Sequence, residues 1–330
     1  MQLKKSRTLV TGAGGFIGSH LVEELIKKST KVKALVRYNS RNDWGMIEEL
    51  PEEIKSNIEV VTGDIRDPHF CLKITKDTDI IFHLAAVISI PFSYTAPSHY
   101  AETNIIGTLN ILEAALKNNL QKVIHTSTSE VYGTAQYTPI NERHPLVGQS
   151  PYSASKIAAD KLAESYFCSF KLPVATIRPF NTFGPRQSAR AIIPTIISQL
   201  ILNKKNIKIG SLSPIRDFTY VKDTVKSFIK AAESEKTIGS VINIGSGKGI
   251  NIGDLYNLLC KLMDRSAKSS RDIKRVRPDG SEVMVLICDN TKAKKVLNWK
   301  PECNLEEGLL ETIAYIEKNI ERYKTGVYNI

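Results

Sequence analysis

A glycine-rich turn close to the N-terminus limits what this chain can fold into more than any other feature. The apolar residues Leu9 and Val10 run into residues 11–18, which read TGAGGFIG and open an amphipathic segment. Gly12 permits a tight turn, Gly15 lets backbone N–H groups approach a pyrophosphate, and Gly18 allows a helix to pack closely on a strand. A plain strand-to-helix turn is the alternative, but strand, spacing and helix together favour a dinucleotide site. The predicted cofactor contacts in this turn are Gly12, Gly15, Phe16, Ile17 and Gly18.

Short β-branched runs alternate with amphipathic stretches through the first half of the chain, a pattern typical of βαβ units. Several runs are apolar throughout, as in a parallel sheet that is buried on both faces. We predict an α/β fold with a Rossmann-like doubly wound parallel sheet in residues 1–180. A smaller C-terminal α/β substrate-binding region, interleaved with the first, occupies residues 181–330. The predicted strands are Thr8–Thr11, Val32–Arg37, Ile58–Thr62, Ile80–Ala85, Val123–Ser127, Val174–Pro179 and Val241–Ile244, and the predicted helices include Ile17–Lys28 and Ile192–Leu202.

Charge and hydropathy argue against two classes of partner. The 330 residues contain 45 Lys+Arg and 34 Asp+Glu, a formal net charge of +11. The lysines are spread along the chain without interleaved aromatic residues, so we expect no nucleic acid and instead solvated faces that attract a small anionic substrate. The apolar stretch 192–202 is interrupted by polar residues and is too short to span a membrane. The N-terminus leads directly into a strand rather than an apolar leader, so we expect a cytoplasmic protein without membrane contact.

The cysteine and histidine patterns indicate neither a disulfide framework nor a metal site. The five cysteines are widely spaced and include no CxxC pair. The six histidines form no helical pair at the spacing of metal ligands. We therefore expect reduced thiols and no bound metal.

The residue that ends the second predicted strand bears on the choice of cofactor. A carboxylate at this position accepts a hydrogen bond from the ribose 2′-hydroxyl of NAD and would repel the 2′-phosphate of NADP. This chain has Arg37 there, no acid in residues 36–41, and a second guanidinium at Arg41. Guanidinium groups pair well with phosphate, which favours NADP, with NAD as the alternative. Arg37 could instead only stack on the adenine ring.

A tyrosine and a lysine four residues apart form the predicted catalytic pair. On a helix, Tyr152 and Lys156 lie on one face. A nearby ammonium lowers the pKa of a phenol, which would make Tyr152 an accessible base near neutral pH. The pattern is common by chance on solvated helix faces, so its weight comes from the dinucleotide turn before it and the segment RPFNTFGP after it, at residues 178–185.

The glycine spacing GxxGxxG, the Tyr152/Lys156 pair and the RPFNTFGP segment together resemble the extended short-chain dehydrogenase/reductase family. The resemblance implies that Tyr152 removes a proton from a sugar hydroxyl and that Lys156 also holds the nicotinamide ribose. It implies that Asp64, with Ile65 beside it, holds the adenine amino group, and that Leu84, Ala85 and Ala86 line the cofactor backbone. It also implies a homodimer that pairs helices 100–117 and 152–170, which could otherwise be ordinary helices covering the sheet.

Glu130 narrows the reaction that the resemblance implies. The segment Thr128-Ser129-Glu130 follows the fifth predicted strand, at the sheet edge where ligands bind. A carboxylate here resembles the nucleotide-sugar 4,6-dehydratases, in which it takes the C5 proton, and Thr128 would assist Tyr152. The dTDP-glucose enzymes read Thr-Asp-Glu, whereas Thr-Ser-Glu is similar to the GDP-mannose type, so Glu130 would serve as both base and acid. The alternative is a solvated strand-end carboxylate.

The overall resemblance is greatest to the 4,6-dehydratases of the legionaminic-acid pathway, which act on nucleotide-linked N-acetylglucosamine. It implies a nucleotide-diphosphate sugar as substrate and an enzyme that makes its 4-keto-6-deoxy product. Arginines suit phosphate recognition, although Arg216 and Arg277 could each be surface charges. The predicted substrate contacts are Asn181, Arg186, Arg216, Arg277 and Glu282.

Three other functions remain open at this point. A nucleotide-sugar C4 epimerase would need only the Tyr152/Lys156 pair. A nucleotide-glucuronate decarboxylase shares the Thr-Ser-Glu pattern and the first oxidation, but needs a cation for the C6 carboxylate. A non-catalytic dinucleotide-sensing protein typically lacks the Tyr/Lys pair that this chain retains.

Overall fold

The computed structural model describes residues 3–324, and its centre is a seven-stranded parallel sheet. The strand order is β10-β6-β5-β4-β1-β2-β3. A smaller sheet runs β11-β9-β13 with β7 paired to β9, and β8 pairs with β12. The strands are β1 Arg7–Thr11, β2 Lys31–Arg37, β3 Ile58–Gly63, β4 Ile80–His83, β5 Lys122–Thr126, β6 Val174–Pro179, β7 Asn181–Phe183, β8 Asn206–Ile209, β9 Ile215–Tyr220, β10 Val241–Ile244, β11 Gly249–Asn251, β12 Lys268–Arg271 and β13 Val285–Leu286.

Helices cover both faces of the large sheet. A π-helical segment, Ala101–Ile106, leads directly into the sixth α-helix. The α-helices are α1 Phe16–Lys27, α2 Glu52–Lys55, α3 Pro68–Ile74, α4 Ile90–Thr95, α5 Pro97–Tyr100, α6 Gly107–Lys117, α7 Pro151–Phe170, α8 Ile192–Ile201, α9 Val221–Glu233, α10 Ile252–Leu262, α11 Thr291–Leu297 and α12 Leu305–Lys318. Short 3₁₀ turns occupy Gly45–Glu49, Ser129–Tyr132, Glu235–Thr237, Ile273–Arg275, Asp279–Ser281 and Ile320–Arg322.

The apolar strands build one core on each side of this sheet. Val10, Phe82 and Ile124 face the larger core, which also holds α1, α8 and α9. Leu9 and Ile81 face the second core, under α3, α6 and α7. Neighbouring residues of one strand therefore bury in opposite directions, as the twofold period of a strand requires. The predicted Rossmann-like α/β fold is confirmed.

Strand boundaries differ slightly from those predicted. β4 ends at His83 rather than at Ala85, because the chain turns where the Thr11 hydroxyl accepts hydrogen bonds from the N–H groups of Leu84 and Ala85, at 3.2 and 3.1 Å. The first helix begins one residue earlier than predicted, at Phe16. Apolar periodicity locates an element well but does not report these local side-chain contacts.

The strand order reverses between β1 and β4, so the loops that follow these two strands diverge and leave a cleft at the carboxyl edge of the sheet. β10 pairs with β6, which brings residues after position 180 into the large sheet. β7 follows β6 directly and pairs with β9, so it joins the large sheet to the small one. The division at residue 180 remains a proposal. No helix within residues 3–324 is both long and apolar enough to cross a membrane.

Candidate active site

The glycine turn is shaped so tightly that side chains would not fit in it. Gly12 has a φ of +70°, and a Cβ there would lie 2.8 Å from the backbone nitrogen of Ala85. A Cβ on Gly18 would lie 2.2 Å from the carbonyl oxygen of Gly12, so α1 packs directly on the turn after β1. Gly15 precedes α1, and no side chain in the described part of the chain caps this helix N-terminus. The exposed N–H groups and close backbone approach fit the pyrophosphate of a dinucleotide.

Arg37 and Asp64 lie at the ends of β2 and β3, where the adenosine half of a dinucleotide would lie. Arg37 is exposed, and its register partner in β3 is Gly63. Asp64 accepts hydrogen bonds from the Arg66 guanidinium, with the shortest distance 2.7 Å to Nη2, and this pairing lowers the pKa of Asp64. Ile65 is buried against Gly107. Arg66 therefore already pairs with the carboxylate that the resemblance assigns to adenine, a contact that the sequence did not reveal.

The segment after β4 lies beside the glycine turn. Leu84, Ala85 and Ala86 are half-buried, and the backbone of the first two lies within 3 Å of where a Cβ on Gly12 would be. The segment therefore lies next to the glycine turn, and its cofactor-lining role stays a prediction. The Asn104 side chain, in the π-helical segment, bonds both backbone groups of Val87 at 2.8 and 3.0 Å and the Ser155 hydroxyl at 2.9 Å. It thereby joins the cofactor-side loop to the helix that carries the catalytic pair.

Helix α7 presents Tyr152 and Lys156 on one buried face. Ser150 caps the helix in a reciprocal capping box with Ser153, and Pro151 occupies the first turn, so the sequence begins the helix directly before Tyr152. The Tyr152 ring packs edge-on against Tyr100, with 6.2 Å between ring centroids. The Lys156 ammonium donates to the Thr126 carbonyl at 2.7 Å.

The expectation that Tyr152 has a lowered pKa is wrong for the protein alone. Burial raises the pKa of Tyr152 well above its ordinary value, the hydrogen bond with Thr128 opposes this, and the charge of Glu130 raises it further. Burial also lowers the pKa of Lys156 to about 8, while the Asp160 carboxylate acts in the other direction. The four-residue spacing identified the Tyr152/Lys156 pair, but it carried no information about how far folding removes the two side chains from water.

Glu130 lies at the junction between the catalytic pair and a group of arginines. Thr128 caps the 3₁₀ turn that follows β5, and its hydroxyl accepts from the Glu130 N–H at 3.3 Å. The Glu130 side chain is 12% exposed, and its carboxylate accepts from Arg277 Nη1 at 3.5 Å. Its charge acts on Tyr152 on one side and on Arg216 and Arg277 on the other.

Glu282 joins the two arginines that the sequence predicted as phosphate contacts. Its carboxylate lies 3.3 Å from Arg216 and 3.9 Å from Arg277. The segment around it is tied down by Tyr94, whose hydroxyl lies 2.5 Å from that of Ser281, and by Gln149, which donates to the Gly280 carbonyl. The structure thus brings together residues that are up to 187 positions apart along the chain.

The two remaining predicted substrate contacts differ. The Asn181 side-chain oxygen is buried and has no hydrogen-bond partner in the described part of the chain, as a group that waits for a ligand would. Arg186 does not join the arginine group. It adopts a φ of +66° and pairs with Glu23 of α1 at 2.8 Å, because the turn after β7 directs it to the helix.

Sequence reasoning missed a buried polar network beneath Lys156. Asp160, one helical turn after Lys156, accepts from His125, Ser127 and Arg178 at 2.7 to 3.0 Å. Tyr132 accepts from Arg178 at 2.9 Å and donates to Asn243 at 2.7 Å. The four-residue spacing from Lys156 to Asp160 was a visible signal. No group of three His, Cys, Asp or Glu residues within 3–324 is arranged to hold a metal ion.

Comparison with protein families identifies the family of this chain. Residues 9–312 match the family model described as GDP-mannose 4,6 dehydratase. The chain belongs to this family. It is therefore an enzyme of the NAD-dependent nucleotide-sugar dehydratase and epimerase group.

Similar proteins in this family carry different names. The chain is 34% identical to the UDP-glucose 4-epimerase of Mycolicibacterium smegmatis, over 94% of this chain and 98% of the relative. It is 34% identical to a UDP-N-acetyl-alpha-D-glucosaminuronate decarboxylase of Bacillus cytotoxicus, over 95% and 98%. It is 30% identical to the dTDP-D-glucose 4,6-dehydratase of Mus musculus, over 97% and 91%.

Solved structures agree with the fold over almost the whole chain. The UDP-glucuronic acid 4-epimerase of Bacillus cereus, solved with UDP-glucuronic acid and NAD, is 30% identical with a TM-score of 0.86, covering 95% of this chain and 99% of that one. DesIV, a dTDP-glucose 4,6-dehydratase of Streptomyces venezuelae solved with NAD, is 26% identical with a TM-score of 0.85, covering 96% and 99%.

Proposed function

We propose that this protein is a nucleotide-sugar 4,6-dehydratase that converts an NDP-hexose to its 4-keto-6-deoxy form. The observation that carries the proposal is the position of Glu130. A largely buried carboxylate lies between the Tyr152/Lys156 pair and the arginines that suit a diphosphate. Epimerisation at C4 needs no such carboxylate, whereas elimination needs a base at C5.

The residues divide the proposed reaction between them. Tyr152 takes the proton of the 4-hydroxyl, with Thr128 hydrogen-bonded to its phenol oxygen. A nicotinamide cofactor held at the glycine turn and beside Lys156 would supply the hydride acceptor for C4 and the hydride donor for C6, and its oxidised form would bring a positive charge near the phenol. Glu130 removes the C5 proton and gives a proton to the C6 hydroxyl, which leaves as water, and after hydride has reached C6 a proton from solvent adds at C5. Arg216 and Arg277 bind the diphosphate, and Asn181 donates or accepts at the phosphate or sugar.

Separate observations support the choice of cofactor and of sugar. Arg37 is exposed at the end of β2 with no acid in residues 36–41, which supports NADP as the preferred cofactor and NAD as the alternative. The resemblance to the legionaminic-acid dehydratases supports an N-acetylglucosamine substrate linked to a nucleotide. We place this reaction in the cytoplasm, in the synthesis of a cell-surface glycan.

Two rival functions retain support. Relatives named 4-epimerases share the oxidation machinery. A decarboxylase needs a cation near the C6 carboxylate, and Arg277 beside Glu130 is such a cation. In the proposed reaction Arg277 binds the diphosphate instead, which favours dehydration. Release of carbon dioxide from a nucleotide-glucuronate would support the decarboxylase.

The Glu130→Gln variant tests the proposal, because glutamine keeps the size of the side chain but removes its basic oxygen. With a panel of UDP-, GDP- and dTDP-sugars, the unmodified protein should yield a product lighter by one water and carrying solvent deuterium at C5. The variant should still reduce bound cofactor transiently, seen by nicotinamide absorbance, yet form at least about 100-fold less product. Its deuterium incorporation at C5 should be lost.

Glu164→Gln serves as the matched control, since Glu164 is an exposed residue of α7 paired with Lys161. It should leave turnover unchanged. Undiminished dehydration by Glu130→Gln, or a product that has only inverted C4, would contradict the proposal and favour an epimerase.

We also propose a homodimer. Ile106 is 46% exposed on the π-helical segment, and α7 lies beside this segment and α6. An exposed apolar residue on neighbouring helices suits pairing with a second copy. Sedimentation velocity should give twice the mass of one chain, and the Ile106→Glu variant should give the mass of a single chain.

A further inference from the structure

We propose that Asp160 is a positioning residue whose buried carboxylate keeps Lys156 in its charged form and sets the pH range in which the Tyr152/Lys156 pair works. The inference rests on the proposed function only in assigning sugar oxidation to this pair, a step that dehydratases, epimerases and decarboxylases share. Asp160 itself touches neither the sugar nor the cofactor in this assignment. It acts through its neighbours on α7.

The geometry gives Asp160 a fixed position on the helix that carries Lys156. It lies one turn further along α7, and its two carboxylate oxygens are held from three directions. His125 Nε2 donates to one oxygen at 3.0 Å, while the Ser127 hydroxyl at 2.7 Å and Arg178 at 2.9 and 3.0 Å donate to the other. Strands β5 and β6 therefore fix this carboxylate against the helix.

The charges in this region do not cancel. Lys156 and Arg178 are cations, Asp160 is the anion between them, and all three are less than about a twentieth exposed. Burying charges is costly unless opposite charges lie beside them, so a lone ion pair of Asp160 with Arg178 would leave Lys156 without a nearby anion. Asp160 is placed to act on both cations. Deprotonation of Tyr152 would supply the second anion during the reaction.

Titration directions agree with this geometry. Burial lowers the pKa of Lys156 to about 8, and the Asp160 charge raises it against that effect. Burial raises the pKa of Tyr152, and Asp160 contributes in the same direction. Burial acts to raise the pKa of Asp160 itself, but His125 and Arg178 hold it at about 2, so Asp160 stays charged throughout the working range.

Other titratable or charged groups also face the Tyr152/Lys156 pair. The two histidines, His83 and His125, stack at 6.0 Å, and burial lowers the pKa of each, so both are neutral near pH 7. The groups facing Tyr152, Lys156 and Asp160 are His83 on β4, His125 on β5, Glu130 and Tyr132 on the 3₁₀ turn, Tyr100 on α5 and Arg178 on β6.

Removal of the Asp160 charge should therefore move both titrations in one direction. In Asp160→Asn, the Lys156 ammonium loses its neighbouring anion and the Tyr152 phenolate loses a repelling one. Both pKa values fall. The acid and basic limits of the pH profile should each shift to lower pH by at least about half a unit. A role confined to packing would lower the rate at every pH and leave both limits in place.

The measurement follows the oxidation step rather than the final product. Bound cofactor reduction after mixing with the nucleotide sugar is recorded by stopped-flow absorbance across the pH range. A second readout uses protein labelled with carbon-13 at the tyrosine ζ position, with Tyr152→Phe to assign the signal. The Tyr152 titration should move in Asp160→Asn without any sugar present. Loss of dehydration with the shift intact would refute the proposed function but not this inference.

Further variants keep the test decisive. Asp160→Glu retains the charge and should keep both limits even if it is slower. Asp223→Asn, a buried carboxylate held by the N–H groups of Glu302 and Cys303, should leave the limits unchanged. If Asp160→Asn leaves Arg178 unpaired and fails to fold, the double variant Asp160→Asn/Arg178→Met is compared with Arg178→Met alone, because these two differ only in the Asp160 charge, and both limits of the double variant should lie at lower pH.

Limits that stay at their original pH in a folded Asp160→Asn, or limits that are equal in Arg178→Met and the double variant, would overturn the inference. So would a shift of only one limit, or an equal shift in Asp160→Glu, because neither follows from loss of a single negative charge.

Discussion

The pKa values of single residues in this site depend on their surroundings in the fold. Tyr152 and Lys156 are ordinary in sequence, yet burial raises the pKa of the phenol and lowers that of the amine. Both shifts favour the neutral forms, so the site without ligands resists the charge separation that its reaction needs. Two interactions can then stabilise a Tyr152 phenolate: the positive charge of an oxidised nicotinamide and the hydrogen bond from Thr128.

Tyr152→Phe should lower turnover by about 100-fold or more, because general base catalysis contributes roughly this much and the ring retains its packing. Dinucleotide affinity, measured by calorimetry, should change less than a few-fold. Tyr166→Phe is the control, since Tyr166 lies on the same helix and donates to Glu113 outside the site. Retention of more than about a tenth of the activity by Tyr152→Phe would assign the base to another residue, since that loss is under ~1.4 kcal/mol of transition-state stabilisation.

Arg37→Asp should shift the preference from NADP toward NAD by about tenfold or more. The change removes a charge-assisted contact to the 2′-phosphate and adds an acceptor for the ribose hydroxyl. Dissociation constants for both dinucleotides test this directly. Lys31→Asp, at the exposed start of the same strand, should leave the ratio unchanged. Equal or tighter binding of NAD by the unmodified protein would contradict the NADP assignment.

The sequence singled out several residues that the structure brings together, but it did not reveal all of their contacts. The catalytic pair, Glu130 and the arginines were identified by type and by motif, and the structure brings Glu130, Arg216, Arg277 and Glu282 together. The pairing of Arg186 with Glu23 could not be foreseen, because the two are 163 residues apart and meet only through the path of the turn after β7. Long-range pairs of this kind depend on the fold rather than on local spacing.

At the scale of elements, apolar periodicity predicted the parallel strands, while their ends depended on polar contacts. β4 stops at His83 because the Thr11 hydroxyl captures the next two backbone N–H groups. The π-helical segment was predicted as part of a continuous helix over residues 100–117. Its extra residue per turn accompanies Asn104, which bonds the loop after β4, and a contact outside the helix is invisible to helical periodicity.

Gly18→Ala tests how closely α1 must approach β1. An added Cβ would lie 2.2 Å from the Gly12 oxygen and 2.9 Å from the Ala13 Cα, both backbone atoms that cannot rotate away. We expect a loss of about 2 kcal/mol in the free energy of unfolding, together with weaker dinucleotide binding, because the turn must open. Urea denaturation and calorimetry measure the two effects.

Gly253→Ala in α10 is the matched control, because its nearest contact would be the Asn251 side-chain oxygen at 3.2 Å. It should cost little stability and leave cofactor affinity intact. Gly18→Ala with unaltered affinity would contradict the assignment of this turn to the cofactor.

The whole molecule should lose stability in mild acid because several histidines are buried as neutral groups. His20, His83 and His125 are 6%, 2% and 1% exposed. Burial, followed by the nearby Arg186 charge, lowers the pKa of His20 to about 4. The unfolded chain binds a proton at these three histidines below about pH 6.5, whereas in the folded protein their lowered pKa values delay protonation to a lower pH. Protonation between these two values therefore favours the unfolded state.

The contribution of these histidines to the free energy of unfolding should be constant above about pH 6.5 and fall as the pH drops toward 4. His20 alone should account for up to about 3 kcal/mol of this loss. Urea denaturation at a series of pH values measures the slope. His20→Gln, whose amide can still donate to the Phe16 carbonyl that His20 bonds at 2.9 Å, should give a flatter slope over this interval. The exposed His69→Gln should keep the original slope. An unchanged slope in His20→Gln would show that His20 is already protonated in the folded protein, and acid sensitivity would then have to come from the two histidines of the central sheet.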